Sequence, residues 1–301
     1  MEPVSAAHPQ GAFWGTFFDL NGIEQLSHLP NLLLLVEVLA LLWLAKKVFG
    51  WLLPFDLEFQ LVKADNKAVT LSFVGYMVGV ALVVEGVLET ADIDLITSLL
   101  DLLVWGVIGI GLLNLAASIN NRWILPGINN RLEKLERSNL AVAVVEAGSF
   151  VGSGLITRAI VKGEPLGWLW DLSFTLLYFA LGQLGFVAFG WLYGKATSYD
   201  YKSEIAQANV AAGISFGMTL AALGGLVAAP LAVSYSLLLF LAWFVVGSAT
   251  LAFFRFVMDK VIIPSERLDH EIHDDRNWGI ALLEGSFALI ALLFLQALFL
   301  P

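Results

Sequence analysis

The sequence predicts an all-α polytopic membrane protein with eight transmembrane helices. Hydrophobic residues make up 58% of the chain and charged residues 14%, whereas a soluble domain has about 45–50% and about 25%. The apolar residues fall into blocks of about twenty, the length that a helix needs to cross the hydrocarbon core. Runs such as Leu32-Leu33-Leu34-Leu35 lack the alternation of membrane-barrel strands, so helices are the expected elements.

The eight apolar blocks define the predicted spans. They cover residues 32–53, 69–88, 95–119, 140–161, 166–193, 210–233, 234–258 and 278–300. Residues 1–30 contain no Lys or Arg and therefore lack the basic start of a signal peptide. We predict that this segment lies at the bilayer interface, because it carries an aromatic cluster of Phe13, Trp14, Phe17 and Phe18. The chain has no cysteine, which excludes disulfides and thiolate metal sites.

Basic residues are distributed unevenly between the predicted loops. Of the 16 Lys and Arg residues, all but Arg158 and Lys162 fall on one predicted face of the membrane. Because basic loops stay in the cytoplasm, both termini are predicted to be extracytoplasmic. The outer face is strongly acidic, and two interpretations stay open: the face concentrates cations, or it is a soluble surface without that role.

The two halves of the chain share motifs at a nearly constant spacing. Phe49-Gly50-Trp51-Leu52 recurs as Phe189-Gly190-Trp191-Leu192. A longer match, 138 positions apart, pairs Pro126, Asn139 and Glu146 with Pro264, Asn277 and Glu284. We interpret this as a duplicated four-helix repeat, residues 31–163 and 164–301. An even number of helices orients both copies in the same direction, so a pseudo-twofold axis along the membrane normal is expected between them.

Glycines at helical spacing indicate where helices approach closely. Packing is the preferred explanation for these residues, which are Gly75, Gly79, Gly148, Gly152, Gly213 and Gly217.

Short polar motifs add a family resemblance. Asn66 starts the second predicted helix, and Asn139 starts the fourth with an Asn-x6-Glu pattern followed by Gly-Ser-Phe. With these motifs the duplicated unit resembles the YjfL-like family of bacterial inner-membrane proteins, a domain of unknown function often found in tandem. The resemblance covers most of residues 32–300. It implies a bacterial inner-membrane location and a link to envelope-stress systems, and it implies no reaction.

Glu146 and Glu284 are the main candidates for an ion or proton site. Each lies seven residues inside a predicted helix, where a charged acid costs about 2.5–3.5 kcal/mol. No Lys or Arg is predicted at the same depth, so a simple ion pair is not expected. Across a twofold axis the two carboxyls would share a proton or cation. The alternative is a structural pair of neutral acids that bond to the backbone or to three serines, namely Ser72, Ser149 and Ser215.

Two further groups of polar residues are site candidates. Four asparagines precede apolar runs, where capping of the helix is the preferred interpretation; they are Asn66, Asn139, Asn209 and Asn277. Three outer acids have no counterpart in the other repeat and are either cation ligands at an entrance or acids that reach water; they are Glu37, Glu85 and Asp101.

His270 and His273 lie one helical turn apart in the acidic loop before the last predicted helix. Such a pair is a weak candidate for a metal or pH-sensing site, and a solvated acidic linker is the preferred reading. The first repeat has Leu132 and Leu135 at these positions.

The motifs favour a transport function over an enzymatic one. No phosphate-binding loop and no membrane-embedded histidine is present, so we expect neither an enzyme nor a cofactor, and no nucleic-acid partner. The first hypothesis is a proton-coupled or small-cation-coupled transporter or channel, with Glu146 and Glu284 as the coupling pair. The rival is a non-transporting scaffold or envelope-stress subunit that binds partners through its cytoplasmic loops. Expected partners are the lipid bilayer, protons or small cations, and either a second copy of the chain or membrane-stress proteins.

Overall fold

The computed structural model describes residues 29–90, 94–163 and 165–299, and every regular element in these ranges is helical. The predicted interfacial segment, residues 1–30, lies outside the described residues except for its last two. In chain order the helices are α1 (Leu29–Trp51), α2 (Lys67–Leu88), α3 (Leu95–Ile119), α4 (Asn130–Glu136), α5 (Leu140–Val161), α6 (Trp168–Ala196), α7 (Tyr201–Ala206), α8 (Val210–Ala228), α9 (Leu237–Val257), α10 (Leu268–His273) and α11 (Trp278–Phe299).

Seven of the described helices are long and apolar enough to cross a membrane: α2, α3, α5, α6, α8, α9 and α11. The protein is therefore a multi-pass membrane protein. Helix α1 is also 23 residues long and largely apolar, and it is not among these seven. Helices α4, α7 and α10 are short segments that lie between the long ones.

Four helices form a row through the centre of the molecule, in the order α2, α5, α8, α11. Helices α5 and α8 are the most buried of the seven. The remaining long helices pack along the row: α3 against α2 and α5, α6 against α5 and α8, and α9 against α8 and α11, while α1 packs on α3 and α2.

Glycines permit the close packing of α5 and α8, the interface that joins the two repeats. A Cβ atom at Gly217 would lie 2.6 Å from the carbonyl oxygen of Val144, and one at Gly152 would lie 2.9 Å from that of Leu220. Any larger residue would push the two backbones apart. The predicted role of these glycines in packing is confirmed.

The same backbone turn precedes all four helices of the row. In each case a non-glycine residue adopts a left-handed conformation directly before the asparagine that starts the helix. These residues are Asp65 (φ 47°), Ser138 (φ 47°), Ala208 (φ 58°) and Arg276 (φ 50°). All four helices thus begin alike, and we call the side of the bundle with these turns the asparagine end.

The row does not have the pseudo-twofold symmetry that the sequence predicted. A twofold axis would pack α11 against α2 as closely as α5 packs against α8, but α2 and α11 lie at opposite ends of the row. The contacts of the row instead follow one another from α2 to α5, from α5 to α8 and from α8 to α11. The α5–α8 contact depends on glycines that α2 and α11 lack, because their corresponding positions include Val74, Ala81, Ser286 and Ile290.

Candidate functional site

In the first repeat, a buried ion pair lies near the asparagine end. Glu146 of α5 accepts hydrogen bonds from Ser72 of α2 and from the ammonium group of Lys134 of α4. The Lys134 Nζ also lies 2.9 Å from the Ser72 Oγ. Lys134 and Glu146 are each 3% exposed. Three elements therefore contribute one side chain each to a closed network, which we call the first cluster.

The second repeat contains a larger network around Glu284 of α11, which we call the second cluster. Ser215 of α8 donates to the Glu284 Oε2 at 2.5 Å, and Tyr193 of α6 bonds to the same serine at 2.5 Å. The guanidinium group of Arg255 in α9 pairs with Glu284 and, at 2.6 Å, with Asp269 of α10. The same group lies 5.5 Å from the centre of the Tyr193 ring, close enough for a cation–π contact.

The expectation that no basic residue reaches the glutamates is wrong. Lys134 belongs to a segment that was predicted to be a loop. This segment forms the short helix α4, which packs against α2 and α5 and brings Lys134 to Glu146. Arg255 lies in the last turn of α9, and its long side chain reaches towards the row. No motif marks Lys134 or Arg255 as a partner of a glutamate. No motif marks Tyr193 or Asp269 as part of the second cluster either.

The two glutamates are not brought together. Helix α8 lies between α5 and α11 in the row, and each carboxylate bonds to the serine of the preceding row helix. No hydrogen bond joins Glu146 to Glu284. Ser72 and Ser215 are glutamate partners, as the structural alternative predicted, whereas the buried Ser149 Oγ has no partner among the described residues.

Cavities adjoin both clusters. A first-repeat cavity of about 550 Å³ reaches Glu146 and Lys134. In the second repeat, Glu284 and Arg255 line a mostly apolar cavity of about 390 Å³ between α6 and α9, which we call the apolar cavity. A third, the loop cavity, has about 270 Å³ and lies between Arg255 and Asp269. Arg255 lines both the apolar cavity and the loop cavity.

The four candidate asparagines cap the row helices. Each side-chain oxygen accepts hydrogen bonds from backbone N–H groups in the first turn, which satisfies donors that a helix start leaves free. The side-chain amide of Asn66 also donates to the carbonyl oxygen of Lys134 at 2.9 Å. Asn139 and Asn209 donate in the same way to Ile205 and Ile272. Capping therefore also fixes the short helices, including the one that carries Lys134.

The candidate outer acids have different surroundings. Glu85 pairs with Arg158, which also bonds to Glu89 at 3.0 Å. A hydrogen bond from Lys162, at 2.7 Å, holds the pKa of Glu89 below its ordinary value. Asp101 is exposed on α3, and one oxygen of Glu37 is buried without a partner among the described residues. The acids therefore do not form one ligand set, and the cation entrance stays a prediction.

The two histidines bond to different acids. The His270 Nδ1 lies 2.6 Å from Asp274, and this hydrogen bond raises the pKa of His270. His273 stacks on Tyr199 and pairs with Glu204 at 3.2 Å. Within the described ranges, no group of three or more His, Cys, Asp or Glu side chains is placed to hold a metal ion. Among the described residues, His270 and His273 therefore do not belong to a set of metal ligands.

Comparison with known proteins identifies the repeat. No curated protein and no solved structure matches the chain. One family model, described as Domain of Unknown Function (DUF350), matches twice, over residues 24–161 and 167–298. The two matches confirm the predicted tandem domain of unknown function. The chain belongs to the DUF350 family and carries two copies of its domain in tandem.

Proposed function

We propose that this protein is a proton-coupled or small-cation-coupled transporter in which Glu146 and Glu284 are the coupling groups. The observation that carries the proposal is the pair of buried clusters, one in each repeat. Taking a carboxylate and a cation out of water costs several kcal/mol per ion, of which their mutual attraction recovers only part. Ionisable groups inside a membrane protein therefore mark ion or proton pathways more often than they stabilise the fold.

Each cluster has two chemical states that differ by one proton. In one, the carboxylate binds its cation; in the other, the protonated acid keeps its serine contact and the cation is free to turn away. Both glutamates line cavities through which an ion or a proton could reach them. Such an exchange between a proton and a cationic side chain would link protonation to movement of α4 or α9.

A topology accompanies this proposal. The chain crosses a bacterial inner membrane eight times as two parallel four-helix units, with α1 as the first span and both termini outside. The distribution of Lys and Arg supports it. The absence of cysteine permits a direct test with two exposed serines, Ser234 and Ser265. In intact cells an impermeant maleimide should label Ser234→Cys, and it should label Ser265→Cys only after permeabilisation. The reverse pattern would overturn the orientation.

Transport is tested with the purified chain in liposomes that contain a pH-sensitive dye. Imposed proton, Na⁺ and K⁺ gradients should give a flux that the double variant Glu146→Gln with Glu284→Gln abolishes. The matched control is Glu136→Gln with Glu266→Gln, which removes two exposed acids and should leave the flux unchanged. A flux that survives the first double variant would refute the coupling role. No flux under any gradient would favour the scaffold that binds partners through its cytoplasmic loops.

A further inference from the structure

The first-repeat cavity is polar and opens at the asparagine end of the bundle. One wall is apolar and consists of Phe49, Leu52 and Leu53 at the end of α1. The other walls come from the end of α3 and the segment that leads into α4. Their polar residues include Asn121, Arg122, Asn129 and Arg131, and Lys134 of α4 and Glu146 of α5 complete the lining.

This cavity has an excess of positive charge that no carboxylate neutralises. Its one acid, Glu146, pairs with Lys134. Arg122 and Arg131 are exposed at the rim, and neither forms a hydrogen bond or ion pair with any described residue. The neighbouring Glu133 is already paired with Arg137 at 3.2 Å. Two guanidinium groups are thus free to bind a ligand.

The rim amides also offer donors. The side-chain oxygen of Asn121 accepts from the backbone N–H of Asn130 at 2.8 Å, and that of Asn129 accepts from Leu132 at 3.2 Å. The NH₂ groups of Asn121 and Asn129 make no hydrogen bond within the described part of the chain. With both oxygens occupied and both NH₂ groups free, the rim presents donors, which is the complement of an anion.

The second repeat shows that this charge is not a general property of the fold. At the positions of Asn121 and Arg131, 138 residues later, it has Asp259 and Asp269. Arg255 replaces Ala117, and its side chain lines two cavities and pairs with acids of its own repeat. Equivalent positions therefore line one positively charged cavity in the first repeat, and two smaller cavities in which acids accompany the cations in the second.

We propose that the first-repeat cavity binds a phosphate group through Arg122 and Arg131. Guanidinium groups bind phosphate oxygens through paired, charge-assisted hydrogen bonds, and both arginines line this one cavity. The phosphate belongs either to a soluble anion or to the headgroup of an anionic lipid whose chains follow the apolar wall. This site does not depend on the proposed transport function, because neither arginine belongs to the glutamate clusters.

The test measures ligand-induced thermal stabilisation of the purified full-length chain in a neutral detergent. One arm adds inorganic phosphate, with chloride at equal ionic strength as the reference. The other adds short-chain phosphatidylglycerol, with short-chain phosphatidylcholine as the reference. Stabilisation by phosphate in the first arm identifies a soluble anion as the ligand, and stabilisation confined to the second arm identifies a lipid headgroup. Stabilisation in neither arm would overturn the proposal.

Variants separate a specific site from a merely basic surface. Arg122→Gln with Arg131→Gln should weaken binding by about 10-fold or more, because each lost arginine removes charge-assisted hydrogen bonds. Lys260→Gln with Arg267→Gln removes two charges from the corresponding loop of the second repeat and should have little effect. Equal weakening by both double variants would contradict the proposal.

A third variant tests the cavity itself. Ala117→Phe keeps all three cations but fills space between α3 and the rim, so it should also weaken binding. If it binds phosphate and phosphatidylglycerol as the unmodified chain does, the ligand lies on the surface and the proposed cavity site is refuted.

Discussion

The first and second clusters hold equivalent glutamates in similar ways but take their cations from different places. Ser72 and Glu146 correspond to Ser215 and Glu284. Lys134 comes from the short helix α4, whereas Arg255 comes from the long helix α9.

In each repeat, the residue equivalent to the other repeat's cation is apolar. At the Lys134 position the second repeat has the buried Ile272, and at the Arg255 position the first repeat has Ala117. Each repeat therefore keeps one cation against its glutamate, although the site that supplies the cation differs. This pattern indicates that each glutamate requires a basic partner, and that the helix that carries this partner can differ.

Removal of either cation should cause the largest loss of stability. Arg255→Met leaves both Asp269 and Glu284 without a basic partner, and Lys134→Met leaves Glu146 with Ser72 alone. A buried charge that loses its partner costs about 3–5 kcal/mol, and we expect the arginine variant to lose more than the lysine variant. Unfolding in sodium dodecyl sulfate, monitored by circular dichroism, gives both values.

The control for these variants is Lys260→Met. Lys260 is exposed and pairs with Asp259 at 2.7 Å, so its loss should cost less than about 1 kcal/mol. A loss for Lys134→Met as small as that of this control would show that the first cluster is not a buried ion pair in the membrane.

A smaller effect is expected for the tyrosine that only the second cluster has. Tyr193→Phe removes the hydrogen bond to Ser215 and keeps the ring beside Arg255, whereas the first repeat has Leu53 at this position. A neutral hydrogen bond contributes about 1 kcal/mol, and the same unfolding assay should detect that loss. Unchanged stability would mean that Ser215 needs only Glu284 as its partner.

The smallest effect concerns the loop that distinguishes the second repeat. The hydrogen bond to Asp274 raises the pKa of His270 above its ordinary value of 6.5, so the contact stabilises the loop below pH 6.5 and is lost as the pH rises through the raised pKa. Titration of the imidazole by NMR should show a higher pKa in the unmodified chain than in Asp274→Asn. Equal values would rule out this contact.

Part of this comparison was visible in the sequence. Hydropathy predicted the long helices, the 138-residue spacing predicted the repeat, and the asparagines predicted the helix starts, because each depends on local pattern. The partners of Glu146 and Glu284 could not be predicted, since they depend on how α4 folds under the bundle and how far Arg255 reaches. The pseudo-twofold axis was wrong because α5 packs on α8 through glycines that α2 and α11 lack at the corresponding positions.

Relocation of the cation within the first repeat tests the central claim most directly. Lys134→Ile removes the lysine and installs the residue of the second repeat, and Ala117→Arg adds the arginine where the second repeat has it. Unfolding and proton flux would be measured for Lys134→Ile alone, for both changes together, and for Lys134→Ile with Ala117→Leu as a neutral control. We predict that only the arginine-containing double variant regains stability and flux. A double variant no more stable than Lys134→Ile alone would contradict the claim that the pairing is what each repeat requires.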